Sequence, residues 1–154
     1  MKINALQSKI TLKEDKKIAV KFELFAKLIV ELNKKEIPIA IANTINATIE
    51  EINKFTGTGK ETLALLRKKE TAITKMIKKD LKLVTINHYK KLWMVTGMSA
   101  FGLPIGAALG ISMGNIGLLG IGLPIGMGIG IAVGTALDKK AKQGGKQLEV
   151  ELKY

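Results

Sequence analysis

The chain has 154 residues, with 25 Lys and Arg against 13 Asp and Glu, a formal net charge of +12. With no cysteine and one histidine, His88, it has no disulfide framework, thiolate zinc site, cysteine nucleophile or multi-histidine metal site. Residues 1–91 hold 20 basic and 10 acidic residues, residues 92–137 hold no charge, and residues 138–154 hold 5 basic and 3 acidic, a layout that excludes an ordinary soluble enzyme.

Met1 to Leu12 has no long apolar core, so no export signal is expected there. Residues 13–35 read as an amphipathic helix, with Ile18, Phe22, Phe25, Ile29 and Leu32 spaced by four and three. Pro38 suits a first helical turn, and Ala42, Ile45, Ile49 and Ile52 continue a second helix. Thr56-Gly57-Thr58-Gly59 interrupts the pattern, and Thr58 with Glu61 forms a capping box that opens a third. Its apolar face runs Leu63, Leu66, Ile73, Ile77, Val84, and no proline or glycine stops it before Gly97, so one rod is expected to run into the next segment. The narrow seams fit a small three-helix domain, and equally pairing between subunits. Residues 13–88 are the candidate surface for a cytoplasmic protein partner.

Arg67–Lys91 holds nine basic and two acidic residues directly before the uncharged run. Lys75, Lys78, Lys79, Lys82, Lys90 and Lys91 are the expected contacts with anionic lipid headgroups, worth about 1 kcal/mol each near a membrane surface. Trp93, with His88 and Tyr89, falls where an interfacial aromatic belt sits. Membrane proximity explains this patch without nucleic acid.

The uncharged run is 46 residues long. A bilayer span needs about 20 apolar residues, so two spans are expected, about 94–113 and 118–137, turning at Gly114-Asn115-Ile116-Gly117. Lysines on both flanks place both termini in the cytoplasm, and the hairpin in the cytoplasmic (inner) membrane, by the positive-inside rule. The expected architecture is all-α: a basic cytoplasmic helical region 1–91, a transmembrane hairpin 92–137 and a basic cytoplasmic tail 138–154.

Phe101-Gly-Leu-Pro-Ile-Gly106 returns twenty residues later as Ile121-Gly-Leu-Pro-Ile-Gly126. Behind each copy glycine keeps a spacing of four: Gly102, Gly106, Gly110, Gly114, then Gly122, Gly126, Gly130, Gly134. That spacing draws one stripe per helix. Glycine disfavours helix by about 0.8–1 kcal/mol relative to alanine, so twelve of them in 46 residues carry a handicap on the order of 10 kcal/mol. Close helix packing, which small residues permit in lipid, is the return for it. Gly120 and Gly128, and in the first helix Gly97, Ala107 and Ala108, lie off the main stripes. One small face per helix suffices for a hairpin within one chain; a second face points to another neighbour and hence to a homo-oligomer. Pro104 and Pro124 are expected to kink their helices, or else to open them in a shallower hairpin.

Gly97–Gly134 resembles the glycine-zipper membrane segments of bacterial channels and pore-forming proteins, and its position behind basic helices is similar to the hydrophobic hairpin of pore-forming colicins. The resemblance implies an oligomeric pore or channel-like assembly, serving as a bacterial toxin or defence effector. Thr96, Ser99, Ser112, Asn115 and Thr135 are the polar groups open to a lumen, Ser99 and Ser112 the candidate lining. Alternatives are a membrane-anchored adaptor and a colicin-like protein that is soluble until its hairpin inserts. Gly57-Thr-Gly-Lys60 lacks the glycine and the Ser/Thr a phosphate loop needs around it, having Lys54 and Glu61 instead. Asn46-Ala-Thr48 is a chance sequon. No nucleophile–base pair can be drawn, so no enzymatic activity, metal or cofactor is expected.

Overall fold

The computed structural model describes residues 2–7 and 16–152. It is mostly helical: α1 (Lys16–Asn33), α2 (Ile39–Lys54), α3 (Gly59–Leu81), α4 (His88–Gly97), a π-helical turn (Met98–Gly102), α5 (Leu103–Ser112), a 3-10 turn (Ile116–Leu118) and α6 (Leu119–Gln143). Residues 13–15 of the first predicted helix, and the last two of the tail, lie outside the described residues. The chain divides into two units: one runs to Thr85 and resumes at Leu148, the other is Ile86–Gln147.

The first unit buries the predicted apolar stripes against each other. Phe25, Leu28 and Leu32 of α1, Ala42, Ile45 and Ile49 of α2, and Leu66 of α3 are all completely buried. Asparagine side chains tie the extended residues 2–7 to these helices. Asn33 accepts from Ile3 N and donates back to Ile3 O, while Asn46 and Asn53 accept from Asn4 N and Gln7 N. Asn46, the sequon residue, is thus a structural acceptor. The Thr58 backbone N–H donates to Glu61 Oε2 at 2.8 Å, so the glycine-rich stretch serves as the N-terminal cap of α3.

The third helix does not run on as a rod. Lys82 closes it in the left-handed region at φ 57°, with Leu83 N donating to Ile77 O at 3.2 Å. Val84–Thr85 (β1) then extends, and Asn87, also left-handed at φ 59°, precedes α4. Val84 and Thr85 favour the extended conformation and Asn87 tolerates the left-handed one, so the break between α3 and α4 needs no glycine or proline. The basic stretch is therefore not one helix: Lys75, Lys78, Lys79 and Lys82 belong to the first unit, Lys90 and Lys91 to the second.

The tail is likewise not a separate segment. Residues 138–143 continue α6, and Gln147–Leu148 (β2) pairs with β1. Leu148, Val150 and Leu152 alternate into the core of the first unit at 0, 3 and 1 % exposure. Glu31 anchors this return, accepting from Glu149 N at 3.1 Å and from Lys34. Its carboxyl is held below the usual range, first by the Lys34 hydrogen bond and then, against the opposing effect of burial, by the Glu149 N–H.

Candidate membrane hairpin

Two stretches of the second unit are long and apolar enough to cross a membrane: His88–Ser112, of 25 residues, and Ile116–Gln143, of 28. Only 22 % and 17 % of their most apolar windows are buried, so they are not core helices of a globular domain. Both exceed the predicted spans of 94–113 and 118–137, because helix continues through the flanking Lys90, Lys91, Lys139 and Lys140.

They pack antiparallel, glycine against backbone. A Cβ at Gly106 would lie 2.6 Å from Leu119 O, and one at Gly134 would lie 2.5 Å from Lys90 Cα. Gly102 faces Gly122 and Leu123, Gly122 faces Gly102 and Gly106, and Gly126 faces Gly97 and Gly102. Gly130 meets the main chain of Trp93, and Gly110 that of Asn115. At Gly106, Gly122, Gly126, Gly130 and Gly134 backbone lies too close for any side chain, while Gly102 and Gly110 are merely tight, which explains why the sequence tolerates so many poor helix formers. Gly114 stands apart. It packs against nothing, and its φ of +62° makes it the helix-ending residue of the turn.

Gly97 joins this inner face, although at a uniform spacing of four it would lie off it. The π-helical turn supplies the difference, with Leu103 N bonding Met98 O five residues back. One extra residue per turn lets Gly97 and Gly102, five apart, share a stripe. The turn directly precedes Pro104, whose missing N–H and ring demand such an adjustment. Pro124 sits within an unbroken α6. The signal was present in the sequence as a five-residue glycine interval followed by proline.

At the turn, Asn115 N donates to Gly110 O at 3.0 Å and Gly114 N to Ile111 O at 3.3 Å, a Schellman closure. Asn115 Oδ1 accepts from Gly117 N at 3.0 Å and its carbonyl from Leu118 N at 3.1 Å, starting the return helix. At the opposite end a residue absent from the sequence-based candidates does the closing. Asp138, 7 % exposed, accepts from Tyr89 N at 3.0 Å and Lys90 N at 2.9 Å. An α6 carboxylate thus satisfies the free N–H groups that open α4. Its position, the first charge after 46 neutral residues, was the available clue.

The remaining candidates point outward. Thr96 donates to Leu92 O and Ser99 to Val95 O, while Ser112 and Thr135 are exposed. Trp93, Lys90 and Lys91 are half-buried at the charged end, where the His88 and Tyr89 rings meet edge to face at 5.2 Å. Lys75, Lys79 and Lys82 are exposed and Lys78 half-buried on the first unit. On the outer side of α6, Gly120, Pro124, Gly128, Ala132 and Ala136 recur every four residues, all exposed. A Cβ at Gly120 or Gly128 would meet nothing within 4 Å. Among the described residues, no three His, Cys, Asp or Glu side chains gather to hold a metal. The chain matches no family model, no curated protein and no solved structure.

Proposed function

We propose that the chain is an integral protein of the bacterial cytoplasmic membrane whose hairpins associate side by side into a pore or channel-like assembly. The observation that carries this reading is the division of small residues into two faces. The inner stripe closes the hairpin, and the outer stripe on α6 lies open between Ile121, Ile125 and Ile129, exposed at 50, 42 and 38 %. In hydrocarbon, helices gain little from burying apolar side chains and associate where backbones approach closely. The outer face offers that approach to another copy. Thr96, Ser99, Ser112 and Thr135 are the polar groups such an assembly can turn toward a lumen. A pore so sparsely lined selects weakly among ions and gates by dewetting, behaviour that fits a toxin or defence effector. Both termini are cytoplasmic in this reading, with the flanking lysines near anionic lipid.

A second reading has its own support. Because the principal glycine stripe is satisfied within one chain, the hairpin is also a complete two-helix anchor, and the first unit would then recruit a cytoplasmic partner. Reconstitution of the full chain into anionic liposomes separates the two. Ion flux that Gly120→Leu with Gly128→Leu abolishes supports the pore. Resistance to alkaline extraction without flux supports the anchor.

A further inference from the structure

The two ends of the hairpin differ in kind. Lys90, Lys91, Lys139, Lys140, Lys142, Tyr89 and Trp93 crowd one end, while the other has no charged or aromatic residue between Ala107 and Leu119. At this bare end Ile111 and Ile116 are each 83 % exposed and Met113 69 %. An apolar cleft of about 420 Å³ opens beside the turn, lined by Ala107, Gly110, Ile111, Gly114, Ile116 and Leu119. A turn that faces water on the far side of a membrane has no use for this surface, and none of the usual interfacial anchors holds it there.

Most of the turn's backbone donors are satisfied locally: the N–H groups of Met113, Gly114, Asn115, Gly117 and Leu118 have acceptors within the turn or the adjoining helix. Unsatisfied groups are what bar irregular backbone from lipid. Length fits as well: residues 92–112 and 116–137 rise about 31 and 33 Å at 1.5 Å per residue, close to the ~30 Å hydrocarbon thickness. With the lysines at one headgroup layer, the turn reaches the opposite edge of the hydrocarbon and goes no further.

We propose that the hairpin enters a bilayer turn first, from the side of its basic end and without translocation machinery, because no charged group and few open polar groups have to cross. The occupant of the apolar tip is the acyl interior of the membrane. This inference rests on the membrane reading above and specifies how that state is reached.

The test is synthesis of the full chain from purified translation components, free of native membranes, with liposomes of phosphatidylcholine and phosphatidylglycerol present. Wild type is expected to become resistant to alkaline extraction. Ile111→Lys with Ile116→Lys, at side chains that project outward, leaves the turn bonds in place and should integrate at least tenfold more slowly. Ile111→Gln with Ile116→Gln, similar in size but neutral, should stay within about threefold of wild type, since lysine is far harder to carry through hydrocarbon. Equal integration of wild type and the Lys pair overturns the proposal. So does integration of wild type only in vesicles that carry translocase. Failure of wild type in both kinds of vesicle would instead remove the membrane reading itself.

Discussion

Lys21 and Glu70 form the most buried ion pair among the described residues, Nζ to Oε1 at 2.8 Å, with side chains 7 and 1 % exposed. The second oxygen of Glu70 has no hydrogen-bond partner. Burial pushes the Glu70 carboxyl up, and the Lys21 hydrogen bond only partly offsets this. Removing one partner of such a pair strands the other, which costs about 3–5 kcal/mol, whereas replacing both by apolar groups is often neutral or better. Lys21→Met strands Glu70 in this way and should therefore lose most of that amount in urea unfolding of the full chain in detergent. Lys21→Met with Glu70→Met should recover it; a double variant as weak as the single would show that the pair is needed for its charge. Glu31 and Glu70 also respond to acid with opposite signs. The lowered Glu31 contributes stability that is complete above the usual glutamate value and is lost as pH falls through its lowered value. The raised Glu70 contributes stability that is complete below the usual value and is lost as pH rises through its raised one. Glu31→Gln should flatten the acid limb of the stability profile, and an unchanged limb would remove Glu31 as its origin. Asp138 has a local readout. Asp138→Ala strands two helix-opening N–H groups, at about 1.5–3 kcal/mol for a charge-assisted contact, so the Tyr89 and Lys90 amides should exchange hydrogen at least tenfold faster.

At the scale of elements, the hairpin depends on register. Inserting one alanine after Ala100 should rotate Gly97 by about 100° away from Gly126 and lower the thermal stability of the hairpin, followed by Trp93 fluorescence. Deleting Ala100 turns the π turn into an α turn and leaves Gly97 four residues before the next glycine. In a Pro104→Ala background that deletion should be tolerated, because the ring no longer demands the wider turn; equal damage from both changes would contradict this account of the π turn. Such registers explain what was legible. Spacings of three and four marked α1, α2 and α3, and repeated glycines marked the inner face, because each pattern is local. The end of α3 was missed because Lys82 has no helix-ending signature of its own, and its left-handed turn is set by the extended Val84 and Thr85 beyond it. The core strand at Leu148 was hidden by length: three apolar residues alternating with Glu149 and Glu151 are too few to stand out from a charged tail. Asp138 was missed because its partners are backbone N–H groups 48 and 49 residues away.

In the proposed assembly the small residues of the whole molecule do two jobs on two faces, one within the chain and one between chains. Substitutions on opposite faces of α6 separate these jobs. Gly126→Leu forces a branched side chain against Gly97 and Gly102 and should open the hairpin. Gly120→Leu with Gly128→Leu fills open space on the outer face and should leave the hairpin closed. The direct measurement is the mass of the full chain in a mild detergent by light scattering, comparing wild type with this outer pair of substitutions. The account predicts a discrete oligomer for wild type and a stably folded monomer for the outer pair. A wild type that is already monomeric, or an outer pair that keeps the wild-type mass, would contradict it.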